Sequence, residues 1–172
     1  MISRVARREE TQALGALGEL YVQHAPEGIR LAYLLTGDRA LAEDLVQEAF
    51  ARFVGRLHYL RNSEAFGAYL RTTIVNLSHS HFRHAKVERV YAERLARSPQ
   101  PTGVTNDELD EAMHETLLRL PERQRAAIVL RFYEDLTDNQ TAEVMHCAPG
   151  TVRSLVSRGM TTLRSELGRS VS

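Results

Sequence analysis

The side chains in this chain that could do chemistry are ones that make contacts. Near the C-terminus, Ser154, Ser157, Arg158 and Thr161 fall on one face of a helical stretch, flanked by Arg153 and Arg164. Val152, Val156, Met160 and Leu163 form the opposite stripe at helical spacing. A helix that buries Val and Leu and shows Ser, Thr and Arg suits a DNA major groove. Arginine can bond guanine in bidentate fashion, and hydroxyls can bond bases or phosphates. An ordinary amphipathic helix has the same two-faced pattern. The small, uncharged start of this helix favours DNA, because it leaves room for close approach.

Two further clusters stand upstream. From Arg71 to Val87 the chain has no acid, and Arg71, Asn76, His79, Ser80, His81, Arg83, His84 and Lys86 interleave with aromatic residues. Such a patch fits phosphate contact and base stacking, or the cationic end of a helix. Asp44, Gln47 and Glu48 share a helix face at i, i+3, i+4. That face is either simply solvated or a docking surface for a basic partner.

Catalysis has no comparable support. There is no P-loop, dinucleotide fingerprint or G-x-S-x-G, so no catalytic residue is assigned. His79, His81 and His84 invite a metal, but i and i+2 diverge on a helix and no compact Cys/His spacing completes a set. No metal and no cofactor is expected. The 172 residues balance to a formal charge of +0, so any DNA contact must come from local clusters. The one cysteine, Cys147, allows no internal disulfide and fits a reducing compartment. No apolar run approaches the ~20 residues of a membrane span, and the charged start resembles no signal peptide. A cytoplasmic, all-α protein without membrane insertion is expected.

The elements that must position these groups follow from periodicity and breakers. Residues 1–8 read as a loose basic tail. Leu14, Leu17 and Tyr21 share a helix face, Pro26 interrupts or restarts that helix, and Thr36-Gly37-Asp38 stops it and starts another. Leu41, Leu45, Ala49 and Phe53 then mark a helix over 40–57. Arg61 to Glu64 reads as a loop with Ser63 as N-cap, before a helix over 64–85. Ser98 to Gly103, with two prolines, reads as a linker. Leu109, Met113, Leu117 and Leu120 form the next stripe. A helix from Glu122 to about Tyr133 follows, burying Ala126, Val129, Leu130 and, at its end, Tyr133. Thr137 and Gln140 have capping-box spacing. A short helix to Met145, a turn at His146-Cys147 and a second helix opened by Ala148-Pro149-Gly150 complete a helix-turn-helix.

In that order the chain resembles an extracytoplasmic-function (ECF) sigma factor of the σ70 family, most closely the SigE-type factors of actinobacteria. Ala32–Phe53 (AYLLTGDRALAEDLVQEAFARF) is similar to the family's core-polymerase-binding segment. Ser63–His84 (SEAFGAYLRTTIVNLSHSHFRH) is similar to its promoter-melting, −10-reading segment, and Leu120–Arg164 to its −35-reading domain.

The resemblance implies two small helical domains, region 2-like over 1–95 and region 4-like over 108–172, joined by a linker over 96–107. It implies that Asp44, Gln47 and Glu48 face the clamp helices of the largest subunit of core RNA polymerase, with the flap as a second docking point. It implies that Arg61, Asn62, Ser63, Glu64 and Ala65 hold an unstacked −10 base. Arg71, Asn76, Ser80 and Arg83 would touch the non-template strand. Thr151, Arg153, Ser154, Ser157 and Arg158 would lie at the −35 major groove, with Leu155 beside them. An anti-sigma factor is a further partner that the resemblance admits. His146 stands where the family's turn usually has Gly, so a left-handed backbone is expected there. A stand-alone helix-turn-helix regulator is the alternative reading. It leaves the helix of Asp44 and the basic helix after it without a purpose.

Overall fold

The computed structural model describes residues 2–54, 63–92 and 111–170, and among them every element is a helix. The proline linker and the Arg61-Asn62 part of the loop lie outside the described residues, as does Leu109.

Helix α1 runs without a break from Ile2 to Thr36, which corrects two expectations. The basic start is helical rather than a loose tail, and Pro26 lies inside the helix rather than ending it. An interior proline costs about 3 kcal/mol or more through a lost hydrogen bond and a clash. Here Pro26 and Val22, whose carbonyl loses its donor, both face solvent, so water can satisfy the freed carbonyl. The buried side of the same turn holds the helix in place. A Cβ on Gly28 would lie 3.0 Å from Ile74 and 3.3 Å from both Leu70 and Val46.

The stop at Thr36-Gly37-Asp38 forms as expected. Gly37 takes φ 72°, and its N–H donates to the Tyr33 carbonyl at 2.8 Å. The Leu41 N–H donates to Asp38 Oδ1 at 3.0 Å, capping α2 (Arg39–Val54). Helix α2 buries Ala42, Leu45, Val46, Ala49, Phe50 and Phe53. Helix α3 (Ser63–Ala92) returns across α1 and α2 and buries Phe66, Leu70, Ile74, Val75 and Leu77. Phe66 makes tilted or edge contacts with Phe50 and Phe53, at centroid distances of 5.1 and 4.6 Å.

The C-terminal half comprises α4 (Glu111–Arg119), α5 (Glu122–Ile128), α6 (Asp138–Val144) and α7 (Pro149–Ser170). Helix α5 runs on into a π-helical turn, Val129–Tyr133, closed by a Glu134 N–H to Val129 carbonyl bond at 3.0 Å. Ala126, Val129 and Leu130 are buried as expected, but the widened turn leaves Phe132 and Tyr133 on the surface. Leu117, Leu120, Ile128 and Leu163 form a small core of their own. Ala126, Val129, Leu130, Leu136 and Val144 instead join the core of α1–α3, so one apolar seam runs through both halves.

Candidate polymerase and nucleic-acid interfaces

The acidic face of α2 is built as its spacing predicts. Burying Leu45, Val46 and Ala49 turns Asp44, Gln47 and Glu48 to solvent together. Glu48 Oε1 accepts from Arg52 at 2.6 Å, and Glu43 pairs with Arg39 at 3.1 Å. Exposed i,i+4 pairs of this kind are worth only about 0.3–0.5 kcal/mol, so a basic partner can displace them.

On α3, Asn76, His79, Ser80 and Arg83 fall at i, i+3, i+4 and i+7 and share one face, while Arg71 lies well round the helix from it. Ser80 is half-buried, while Asn76 and Arg83 are exposed. At the start of the helix Glu64 and Ala65 are exposed. Glu64 borders a cleft between α1 and α3 that is also lined by His24, Glu27, Gly67, Arg71 and Glu134.

Partners from the C-terminal half reach this helix. Arg71 Nε donates to Glu134 Oε2 at 2.7 Å. Asn76 Nδ2 lies 3.3 Å from His146 Nε2. His79 Nδ1 meets Glu122 Oε1. The Arg125 guanidinium, buried to 5% exposure, sits 5.2 Å over the Phe82 ring and donates to the Leu118 carbonyl at 2.9 Å. Burial lowers the pKa of Arg125. None of these partners is marked by the sequence pattern. In the sequence Glu122 marks only the start of a helix, and Glu134 carries no signal. His79 and His81 turn to separate partners, Glu122 and the Phe82 ring. Among the described residues no group of His, Cys, Asp or Glu is arranged to hold a metal ion.

The helix-turn-helix forms with the expected chemistry. Thr137 Oγ1 accepts from the Gln140 N–H at 3.2 Å, and Gln140 Oε1 accepts from the Thr137 N–H at 2.8 Å. This is a complete capping box. His146 takes φ 50° in the turn, the left-handed geometry expected of a position usually held by Gly. On α7, Thr151, Arg153, Ser154, Ser157 and Arg158 are all exposed on the outer face. Val152, Leu155 and Leu163 are the buried residues, so Leu155 packs inward rather than lying beside the outer face. Val156 and Met160, expected in the buried stripe, are only half-buried. The inward face is centred nearer Gly159, where a Cβ would lie 2.5 Å from Ile128 Cδ1. Asp138 stands between two cations, 2.8 Å from Arg131 Nε and 3.7 Å from Arg153 Nη1.

Comparison with known proteins accounts for both halves. The family model for Sigma-70 region 2 matches residues 20–87, and that for Sigma-70, region 4 matches residues 110–163. The RNA polymerase sigma-E factor of Streptomyces coelicolor is 34% identical over 151 residues, covering 87% of this chain and 85% of the relative. The ECF RNA polymerase sigma factor BldN of the same organism is 31% identical over 171 residues, covering 95% of this chain and 64% of the relative. The sigma factor RpoE from Bartonella quintana, solved with the anti-sigma factor NepR, has the same fold. Its TM-score is 0.69 at 24% identity, covering 88% of this chain and 96% of that one. The region 2 match disfavours a stand-alone helix-turn-helix regulator.

Proposed function

The chain belongs to the σ70 family as an ECF sigma factor of the sigma-E type, and from that premise we propose how its residues divide the work of promoter-specific initiation. A sigma factor is not an enzyme. It docks on core RNA polymerase and directs it to promoter DNA, and the polymerase does the chemistry.

Asp44, Gln47 and Glu48 dock on the clamp helices of the largest polymerase subunit, and the C-terminal half docks on the flap. Arg61, Asn62, Ser63, Glu64 and Ala65 capture an unstacked base of the −10 element, for which unpairing costs a few kcal/mol. Arg71, Asn76, Ser80 and Arg83 hold the non-template strand. Thr151, Arg153, Ser154, Ser157 and Arg158 read the −35 element in the major groove. The working division is a region 2-like domain over 1–95, a linker over 96–107 and a region 4-like domain over 108–172. Among the described residues no helix is long and apolar enough to cross a membrane, which supports a cytoplasmic site of action. An anti-sigma factor belongs to the proposal as a regulator; the Bartonella quintana neighbour is bound to one.

The observation that carries this reading is the outward face of α7, where all five −35 residues are exposed on the second helix of a helix-turn-helix whose first helix, α6, is closed by a capping box. The test is run-off transcription with purified core polymerase on a pool of genomic promoter fragments. Discrete starts that require the protein, and that weaken when Arg158 becomes Ala, are expected. Duplex binding without core binding would contradict the proposal.

A further inference from the structure

We propose that Asp138, at the start of α6, is a positioning residue for −35 recognition: its carboxylate steers the Arg153 guanidinium of α7 and so sharpens the choice of base pair. The proposal rests on the reading of α7 given above.

The contacts around Asp138 form a chain of supports. Its backbone is fixed, because it follows the N-cap Thr137 inside the capping box and opens α6. Its carboxylate is half-buried, and Oδ1 lies 2.8 Å from Arg131 Nε. Arg131 is tied down in turn. It stands in the π-helical turn, and its Nη1 donates to the Leu136 carbonyl. The other carboxylate oxygen, Oδ2, faces Arg153 Nη1 at 3.7 Å. A Cβ on Gly150 would lie 3.8 Å from Arg153 Nη2. The Arg153 side chain therefore runs back toward the N-terminus of α7, the end of a recognition helix that meets base edges.

Exposure gives the direction of the effect. Arg131 and Asp138 are 30% and 29% exposed, whereas Arg153 is 66% exposed. The fixed pair is the support, and Arg153 is the part it steers. An unsupported arginine on a helix surface samples many rotamers, and a bidentate contact with guanine needs its planar fork in one orientation. Support from behind the reading side chain supplies that orientation. At 3.7 Å the pair is too long for a hydrogen bond, so it biases the guanidinium while leaving its N–H groups for a base. A carboxylate at this place also opposes the sequence-independent attraction between α7 and phosphates. Asp138 thus raises selectivity twice over, by ordering Arg153 and by weakening contact with unselected DNA.

The test uses the full chain and a library of duplexes with a randomised segment, selected by binding and then sequenced. Arg153→Ala is expected to flatten some of the positions that the native chain selects, and Arg158→Ala to flatten others. Asp138→Asn leaves the Thr137–Gln140 box in place. It is expected to lower discrimination about twofold to tenfold at the Arg153 positions and leave the Arg158 positions unchanged. It is also expected to bind a duplex of unselected sequence more tightly than the native chain does. A role confined to stability would flatten every position and weaken both kinds of binding. That result, or an unchanged preference, would overturn the proposal. Adding Asp138→Asn to the Arg153→Ala chain is expected to cost no further discrimination; a further loss as large as in the native background would show that the carboxylate does not act through Arg153, and would overturn the proposal too. No selective binding by the native chain, or no position altered by Arg153→Ala, would overturn the reading of α7 itself, and the proposal with it.

Discussion

Helices α3 and α7 carry the same kind of surface and meet opposite fates. Both show Arg and hydroxyl or amide side chains on one face and bury aliphatic ones on the other. On α7 the polar face is open, and Asp138, 3.7 Å from Arg153, is shared with Arg131. On α3, Arg71 and His79 are each bonded to a carboxylate from the other half. What differs is the position of two acids at either end of α5 and its π-turn. A chain of formal charge +0 can therefore pair cations of one polar face with its own acids and leave another face largely open.

The sharpest way to break this comparison is through the shared core. Phe53 is 0% exposed, and Phe53→Ala is expected to cost about 3–5 kcal/mol. Because the seam joins the halves, chemical denaturation followed by circular dichroism should show one transition moved to lower denaturant. A C-terminal half that keeps its own transition unchanged would show that the two are packed independently. Next in size, Arg158→Ala should weaken −35 duplex binding by about tenfold to a hundredfold. The loss should be the same whether or not Glu122 and Glu134 are replaced, since α7 is uncovered. Fluorescence anisotropy on the promoter duplex checks both parts.

Thr137→Ala removes the capping box and should destabilise the helix-turn-helix by about 1 kcal/mol. The smallest effect is a pH dependence. His114 is buried against Tyr33, and desolvation lowers its pKa, only partly offset by a hydrogen bond to the Tyr33 backbone. The open or unfolded chain, with an ordinary value near ~6.5, binds the proton more readily. The packing of α4 on α1 is therefore fully stabilised above that pH and is lost as pH falls through the lowered value. Thermal melts at descending pH should show this loss, and His114→Leu should flatten it.

The sequence carried the local chemistry well. Thr36-Gly37-Asp38, the Thr137–Gln140 box, Pro149 and the left-handed His146 are each fixed by a few neighbouring residues. The acidic face of α2 and the outer face of α7 also follow from spacing alone. Pro26 misled because its cost is set by tertiary packing around Gly28, which no local rule contains. The inward turn of Leu155 depended on where α5 approaches, and that approach is set by Gly159. Glu122, Glu134, His114 and Arg125 were invisible for a related reason: an amphipathic pattern says that a face is buried or exposed, not what a distant segment brings to it.

The most direct test of the central claim, that one core joins the two halves, is a distance measurement between α3 and the C-terminal half. With Cys147→Ser, spin labels at Lys86→Cys on α3 and Glu143→Cys on α6 would be read by double electron–electron resonance in the free chain. The account predicts one narrow distance distribution in the free chain, because a single apolar core joins the two halves. A broad, long distribution already present in the free chain would contradict it.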